Sequence, residues 1–174
     1  MIIVLMGYMA SGKSSIGRLL AEKMNYKFQD LDDVIEEVEG LKISSIFESK
    51  GEIYFRKIES EQLIQTLKSS SNLVLSLGGG TPCYGTNLST IIEHPETESF
   101  YLKALIPTLI DRLKNEKQKR PLIAHIESKE ELTEFIGKHL FERNQCYDQA
   151  NHTIKTDDLT KEEIVEKILL QLFQ

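Results

Sequence analysis

Residues 2–14 read Ile2-Ile3-Val4-Leu5-Met6-Gly7-Tyr8-Met9-Ala10-Ser11-Gly12-Lys13-Ser14. Five apolar residues predict a buried strand, and the pattern G-x-x-x-x-G-K-S follows without a gap. Lys13–Met24 then has helical spacing through Ile16, Leu19, Leu20 and Met24. Strand, glycine loop and helix in that order make a phosphate-binding loop. Glycine lets the backbone curl so that successive N–H groups converge on phosphate oxygens. The helix start adds the positive end of its dipole. In this pattern the lysine reaches the β- and γ-phosphates, and the hydroxyl of Ser14 completes the coordination of Mg²⁺. The candidate nucleotide-binding residues are Gly7, Ala10, Ser11, Gly12, Lys13, Ser14 and Ser15.

Outward from this loop, short apolar runs alternate with amphipathic stretches. Strands are expected at Tyr26–Asp30, Leu73–Leu77, Ser99–Lys103 and His152–Lys155. Helices are expected at Asp32–Glu39, Ile43–Ser49, Glu52–Lys68, Thr86–Glu93, Pro107–Lys114, Ser128–Ala150 and Thr160–Phe173. The last two open with capping-box patterns, Ser128 with Glu131 and Thr160 with Glu163. The polar stretch Asn115–Ala124 reads as a loop and is the candidate for independent motion. Strand–helix alternation with unbroken apolar strands predicts an α/β fold, a parallel sheet covered on both faces. One domain over 1–174 with a lid is expected.

Composition narrows the function classes. A formal net charge of −6 over 174 residues argues against a general nucleic-acid or membrane-surface binder. Two cysteines, Cys83 and Cys146, suggest no disulfide framework. The apolar amino-terminal run lacks a basic flank and is too short to span a bilayer, so a cytoplasmic protein is expected. His94, His125, His139 and His152 show no metal-ligand spacing. No Asn-Lys-x-Asp run for guanine occurs either.

Three constellations bear on the phosphoryl acceptor. Asp30-Leu31-Asp32 ends the second predicted strand, where two carboxylates one residue apart share a side if the chain stays extended. One would hold the metal and the other would orient or deprotonate an acceptor hydroxyl; a solvated acidic turn capping the next helix is the plainer alternative. Phe55-Arg56 with Glu59, after Phe47, places an arginine three residues from a carboxylate beside aromatic walls. That suits a clamp for a substrate carboxylate, although such motifs are often ordinary surface pairs. Gly78-Gly79-Gly80 follows a buried-type strand, and glycines there permit close ligand approach. Arg120-Pro121-Leu122 falls in the expected lid, where an arginine arriving on closure would stabilise a transferring phosphoryl group. Arg143 and Tyr147 lie four apart on a long helix, with Ala150 on the same side.

The ordered set resembles the shikimate kinase family, within the nucleoside-monophosphate-kinase-like P-loop group. The landmarks are G-x-x-x-x-G-K-S at Gly7–Ser14, D-x-D at Asp30–Asp32, F-R-x-x-E at Phe55–Glu59 and G-G-G at Gly78–Gly80. R-P-L at Arg120–Leu122 and R-x-x-x-Y-x-x-A at Arg143–Ala150 complete it. The resemblance implies a three-layer fold with a five-stranded parallel sheet, a substrate-binding segment near 31–60 and a lid near 113–125. It implies ATP-dependent phosphorylation of the 3-hydroxyl of shikimate. Asp32 would hold the acceptor hydroxyls, and Arg56, Arg143, Gly78, Gly79 and Gly80 would hold its carboxylate and ring. Asp30 with Ser14 would bind Mg²⁺, Arg112 would lie near the adenine, and Lys13, Asp32 and Arg120 would carry the chemistry. A monomer acting on small molecules alone is expected. Thr81-Pro82-Cys83 is an unusual continuation of the triple glycine. Competing readings are a gluconate or nucleoside monophosphate kinase, and an ATP-binding switch or adaptor without metabolite phosphorylation.

Overall fold

The computed structural model describes residues 1–114 and 121–174, with no side-chain description for Pro121 and Leu122. Five strands, β1 Ile2–Met6, β2 Lys27–Asp30, β3 Leu73–Ser76, β4 Thr97–Lys103 and β5 His152–Lys155, form one sheet in the order β2-β3-β1-β4-β5. All four pairings are parallel. The helices are α1 Lys13–Met24, α2 Leu31–Glu39, α3 Ile43–Ser69, α4 Asn87–Ile92, α5 Ile106–Leu113, α6 Pro121–Ala124, α7 Lys129–Tyr147 and α8 Lys161–Leu172.

The unbroken apolar run of β1 is explained by burial on both faces. Ile2, Val4 and Met6 enter one core with Leu63 of α3, Ile91 of α4 and Tyr147 of α7. Ile3 and Leu5 enter the other with Leu20 of α1 and Ile168 of α8. A strand's alternation thus feeds two layers at once. Where α1 crosses β2 it comes very close: a Cβ on Gly17 would lie 2.6 Å from the Phe28 ring.

Local signals set the helix ends. Asn25 closes α1 in the left-handed region, and Gly40 does the same for α2 at φ 64°. Thr160 and Glu163 form the full capping box of α8, whereas at α7 only Ser128 accepts from the Glu131 amide.

Within α3 the two helices expected over 43–68 are both present, parted at Gly51, whose φ of 81° and ψ of 171° leave the helical region. Other expectations need correction. Pro121–Ala124 is a helical turn rather than loop, anchored by Ile123, which is fully buried. The long helix stops at Tyr147, so Ala150 lies beyond it. Thr81–Cys83, given no element by its sequence, is a 3₁₀ turn with proline in its first positions. Arg120 and the rest of 115–120 lie outside the described residues.

Candidate active site

The phosphate loop occupies the carboxyl end of β1, the central strand. Gly7 has φ 147°, and a Cβ there would sit 2.7 Å from the Leu102 carbonyl oxygen. Glycine is therefore required by space as well as by conformation. Ala10 and Gly12 also adopt positive φ, at 62° and 98°. These turns bring the chain round so that α1 begins at Lys13 with no capping side chain and no acidic residue in its first turn. Its amide end is left for an anion. Lys13 is 9% exposed and donates from Nζ to the carbonyl oxygens of Gly7 at 2.8 Å and Tyr8 at 2.9 Å. Ser15 Oγ donates to the Gly12 carbonyl at 3.0 Å, and Ser11 Oγ is buried with no hydrogen-bond partner among the described residues.

Beside the loop runs a cleft of about 650 Å³. The loop and Arg112 line it together with Leu159, Thr160, Lys161 and Ile164 at one side, and Asp30, Asp32, Ser76, Gly78 and Gly79 at the other. Arg112 is fixed there by donating to Ala10 O at 3.2 Å and Thr156 O at 3.4 Å. The stretch 159–164 escaped the sequence reading. Its one motif, the Thr160–Glu163 capping box, marks a helix start and not a ligand, and these residues reach the cleft because β5 pairs beside β4 and α8 packs against α1.

Asp30 and Asp32 both border the cleft, but not as neighbours on one face of a strand. The strand ends at Asp30, whose Oδ1 accepts from the Asp32 amide at 3.2 Å and starts α2. The capping alternative is thus present, and the other oxygen, Oδ2, turns to the phosphate loop and accepts from Ser14 Oγ at 2.7 Å. Ser76 Oγ lies 3.5 Å from Ser14 Oγ. This hard-oxygen pair fits Mg²⁺, which takes few protein oxygens and completes its shell with waters and phosphate. Among the described residues no group of three or more His, Cys, Asp or Glu is arranged to hold a metal.

Burial pushes the Asp32 carboxyl up to about 7, with the charges of Asp30 and Glu59 adding to it and Lys13 opposing. The sign of the effect on stability follows from linkage. Below the ordinary value of 3.8 the group is protonated in both states. Between that value and about 7 the folded state keeps a proton that the unfolded chain has lost, so stability falls as pH rises. In metal-free buffer, Asp32→Asn is therefore expected to raise Tm relative to the parent at pH 8 and to change it little at pH 4. Calorimetry showing the same Tm difference at both pH values would contradict this.

The three consecutive glycines face three different side chains. A Cβ on Gly78 would lie 3.0 Å from Asp32 Oδ1, one on Gly79 3.6 Å from Arg143 Nη1, and one on Gly80 3.1 Å from Arg56 Nη2. Tyr147, fully buried, donates its hydroxyl to the Gly79 carbonyl and so ties this turn to α7. Arg143 projects from the same helix over the Tyr8 ring, 5.7 Å from its centroid. Arg56 Nη1 donates to Glu59 Oε2 at 2.9 Å, and Glu59, 1% exposed, takes its second bond from Thr81 Oγ1 at 2.6 Å. Phe47 packs on Phe55 at 4.5 Å between centroids, the rings tilted by 34°. Cys83 does not line the cleft; its Sγ packs 3.8 Å from the Arg143 carbonyl oxygen. One carboxylate and two guanidiniums thus converge on a glycine turn that packs beside the phosphate loop, a Cβ on Gly79 being 3.5 Å from the Met9 amide nitrogen.

The family model for shikimate kinase matches residues 9–173. This chain belongs to the shikimate kinase family. Among shikimate kinases, that of Flavobacterium psychrophilum is 47% identical over 171 residues, 98% of each chain. That of Flavobacterium johnsoniae is 48% identical over 167 residues, 96% of each. The crystal structure of the Bacteroides thetaiotaomicron shikimate kinase superposes with a TM-score of 0.92 at 32% identity, covering 99% of this chain and 98% of that one. A gluconokinase from Sinorhizobium meliloti, at 19% identity and a TM-score of 0.57, shares the fold alone. Set beside shikimate kinases, the glycine turn with its three facing side chains belongs to a chain alike from end to end. Among the described residues no helix is long and apolar enough to cross a membrane.

Proposed function

We propose that this protein transfers the γ-phosphoryl group of ATP to the 3-hydroxyl of shikimate, an early phosphorylation in aromatic amino-acid biosynthesis. The observation that carries this reading is the turn Gly78–Gly80. It presents Asp32, Arg143 and Arg56 in sequence, a set suited to one hydroxyl-bearing, carboxylate-bearing ring. The crystallised Acinetobacter baumannii shikimate kinase, 30% identical with a TM-score of 0.86 over 98% of this chain and 92% of its own, is in complex with shikimate.

The chemistry is mainly positioning and charge stabilisation. Loop amides from Gly7 to Ser15 hold the phosphates, and Lys13 places its ammonium where negative charge spreads over the transferring group. Ser14 and Asp30 would hold Mg²⁺, which neutralises phosphate charge when bound. Arg112 lies toward the nucleoside side of the cleft. Asp32 aligns the acceptor hydroxyl and takes up its proton as the new O–P bond forms and ADP departs. A carboxyl raised to about 7 suits proton acceptance near neutral pH. Arg56 and Arg143 grip the acceptor carboxylate, with close approach granted by Gly79 and Gly80. Arg120 enters this scheme through its R-P-L motif, as a lid group that meets the phosphoryl on closure.

The working unit is a single kinase domain over 1–174, with an acceptor segment at about 31–60 and a lid at about 113–125. The reading is of a monomer acting in the cytoplasm, where ATP is supplied. A net charge of −6 gives no support to a nucleic-acid partner. The test is an ADP-release assay with ATP and Mg²⁺, offering shikimate, gluconate and nucleoside monophosphates in turn. Turnover stimulated by shikimate alone is expected. Preference for another acceptor would replace the reading with a different metabolite kinase, and tight ATP binding with no stimulated turnover would replace it with a nucleotide switch.

A further inference from the structure

The Arg56 guanidinium is held on more sides than its Glu59 partner accounts for. Guanidinium carries five N–H groups. Nη1 donates to Glu59, while Nε and Nη2 each donate to Glu52 Oε1 at 3.4 Å. Tyr84 has its ring under the group, with the centroid 3.7 Å from Arg56 Cζ, and its hydroxyl donates to the same Glu52 oxygen at 3.1 Å. Two N–H groups, one on each terminal nitrogen, are left without a partner among the described residues. That is the number a carboxylate takes in a two-bond grip.

We propose that Tyr84 and Glu52 are positioning residues for acceptor binding, which fix the plane and rotation of the Arg56 guanidinium so that its two remaining N–H groups meet the substrate carboxylate. The proposal rests on the acceptor assignment above and adds two residues to it. Glu59 alone pins one nitrogen and leaves the planar group able to pivot about that bond. The Glu52 oxygen holds the opposite edge, and the Tyr84 ring covers one face and keeps water off it. Tyr84 is itself fixed by the backbone: it closes the 3₁₀ turn Thr81–Cys83, and its carbonyl accepts from the Asn87 amide at 3.2 Å. The buried Asn87 side chain holds the same turn by donating to Thr81 O at 2.9 Å. The segment that supplies Thr81 to Glu59 therefore also supplies the stacking ring to Arg56. This gives Thr81-Pro82-Cys83-Tyr84 a role in the site.

Steady-state kinetics on the full chain, with shikimate and with its methyl ester, test this. Loss of a cation–π contact of this kind corresponds to about a fivefold change in binding. Tyr84→Ala is expected to raise KM for shikimate by that factor, with kcat and KM for ATP within about twofold. Tyr84→Phe keeps the ring and is expected to recover most of the loss. Glu52→Gln, at a half-exposed position, is expected to raise KM for shikimate about two- to threefold, the usual scale for losing one solvent-exposed ion pair. The ester lacks the carboxylate charge, so these penalties should shrink toward none with it. Equal penalties for acid and ester, or an unchanged KM for shikimate in both Tyr84→Ala and Glu52→Gln, would overturn the proposal. Failure of the unmodified protein to phosphorylate shikimate would instead overturn the acceptor assignment.

Discussion

Lys13→Met is expected to lower kcat by about 10²–10³-fold, the usual cost of removing one preorganised charge-stabilising group from a transition state. Methionine keeps the length and apolar stem of the side chain and deletes only the ammonium. Lys13 is buried and donates to the Gly7 and Tyr8 carbonyl oxygens, so its charge sits inside the curl of the loop. The proposed acceptor groups Asp32, Arg56 and Arg143 gather at the Gly78–Gly80 turn, outside the curl that holds the Lys13 ammonium, so KM for shikimate should stay within about threefold. The lost bonds to Gly7 and Tyr8 also loosen the loop, and a small fall in Tm accompanies the kinetic loss. Stopped-flow or coupled assays give kcat, and a value within tenfold of the parent would remove Lys13 from the phosphoryl-transfer role.

Arg56→Ala should act on binding and stability together. Two charged hydrogen bonds to the acceptor carboxylate correspond to about 10–100-fold in KM for shikimate, with kcat falling much less. The stability effect comes from the partner left behind. Glu59 is 1% exposed, and its Oε2 loses the Arg56 Nη1 bond at 2.9 Å. Stripping one member from a buried ion pair typically costs about 3–5 kcal/mol. Thr81 still donates to the other Glu59 oxygen, which places the expected loss near the lower end of that range, about 3 kcal/mol. Adding Glu59→Gln to Arg56→Ala removes the stranded charge, so the double variant should regain much of the Tm without regaining shikimate affinity. Denaturation midpoints and KM values for the two variants check this; a double variant that recovers KM would show that Arg56 never touched the acceptor.

These two residues differ in how openly the sequence displayed them. Lys13 stands in a pattern whose every position answers to local backbone physics. Gly7 and Gly12 allow positive φ, the apolar run Ile2–Met6 makes the strand before them, and the spacing from Ile16 to Met24 makes the helix after. Arg56 and Glu59 were visible as a helical pair, and their ion pair is present. Tyr84 and Glu52 gave no such sign, since they lie 32 residues apart and meet only through the packing of the glycine turn on α3. The D-x-D motif brings its two residues to one cleft by a different route from the extended spacing expected of it. Its carboxylates border one cleft because Asp30 caps α2 and Asp32 lies in that helix's first turn, not because a strand continues.

What the sequence determined by itself was whatever short-range periodicity and backbone freedom specify: an alternating α/β order, the phosphate loop, and both faces of β1 buried. Tertiary structure decided the rest. It set the strand order that puts β3 beside β1, the facing of Gly78, Gly79 and Gly80 toward Asp32, Arg143 and Arg56, and the arrival of α8 at the cleft. The physical reason is that a local pattern constrains which side of an element a residue occupies. Which distant side chain it meets there is fixed only when the layers close on a shared core.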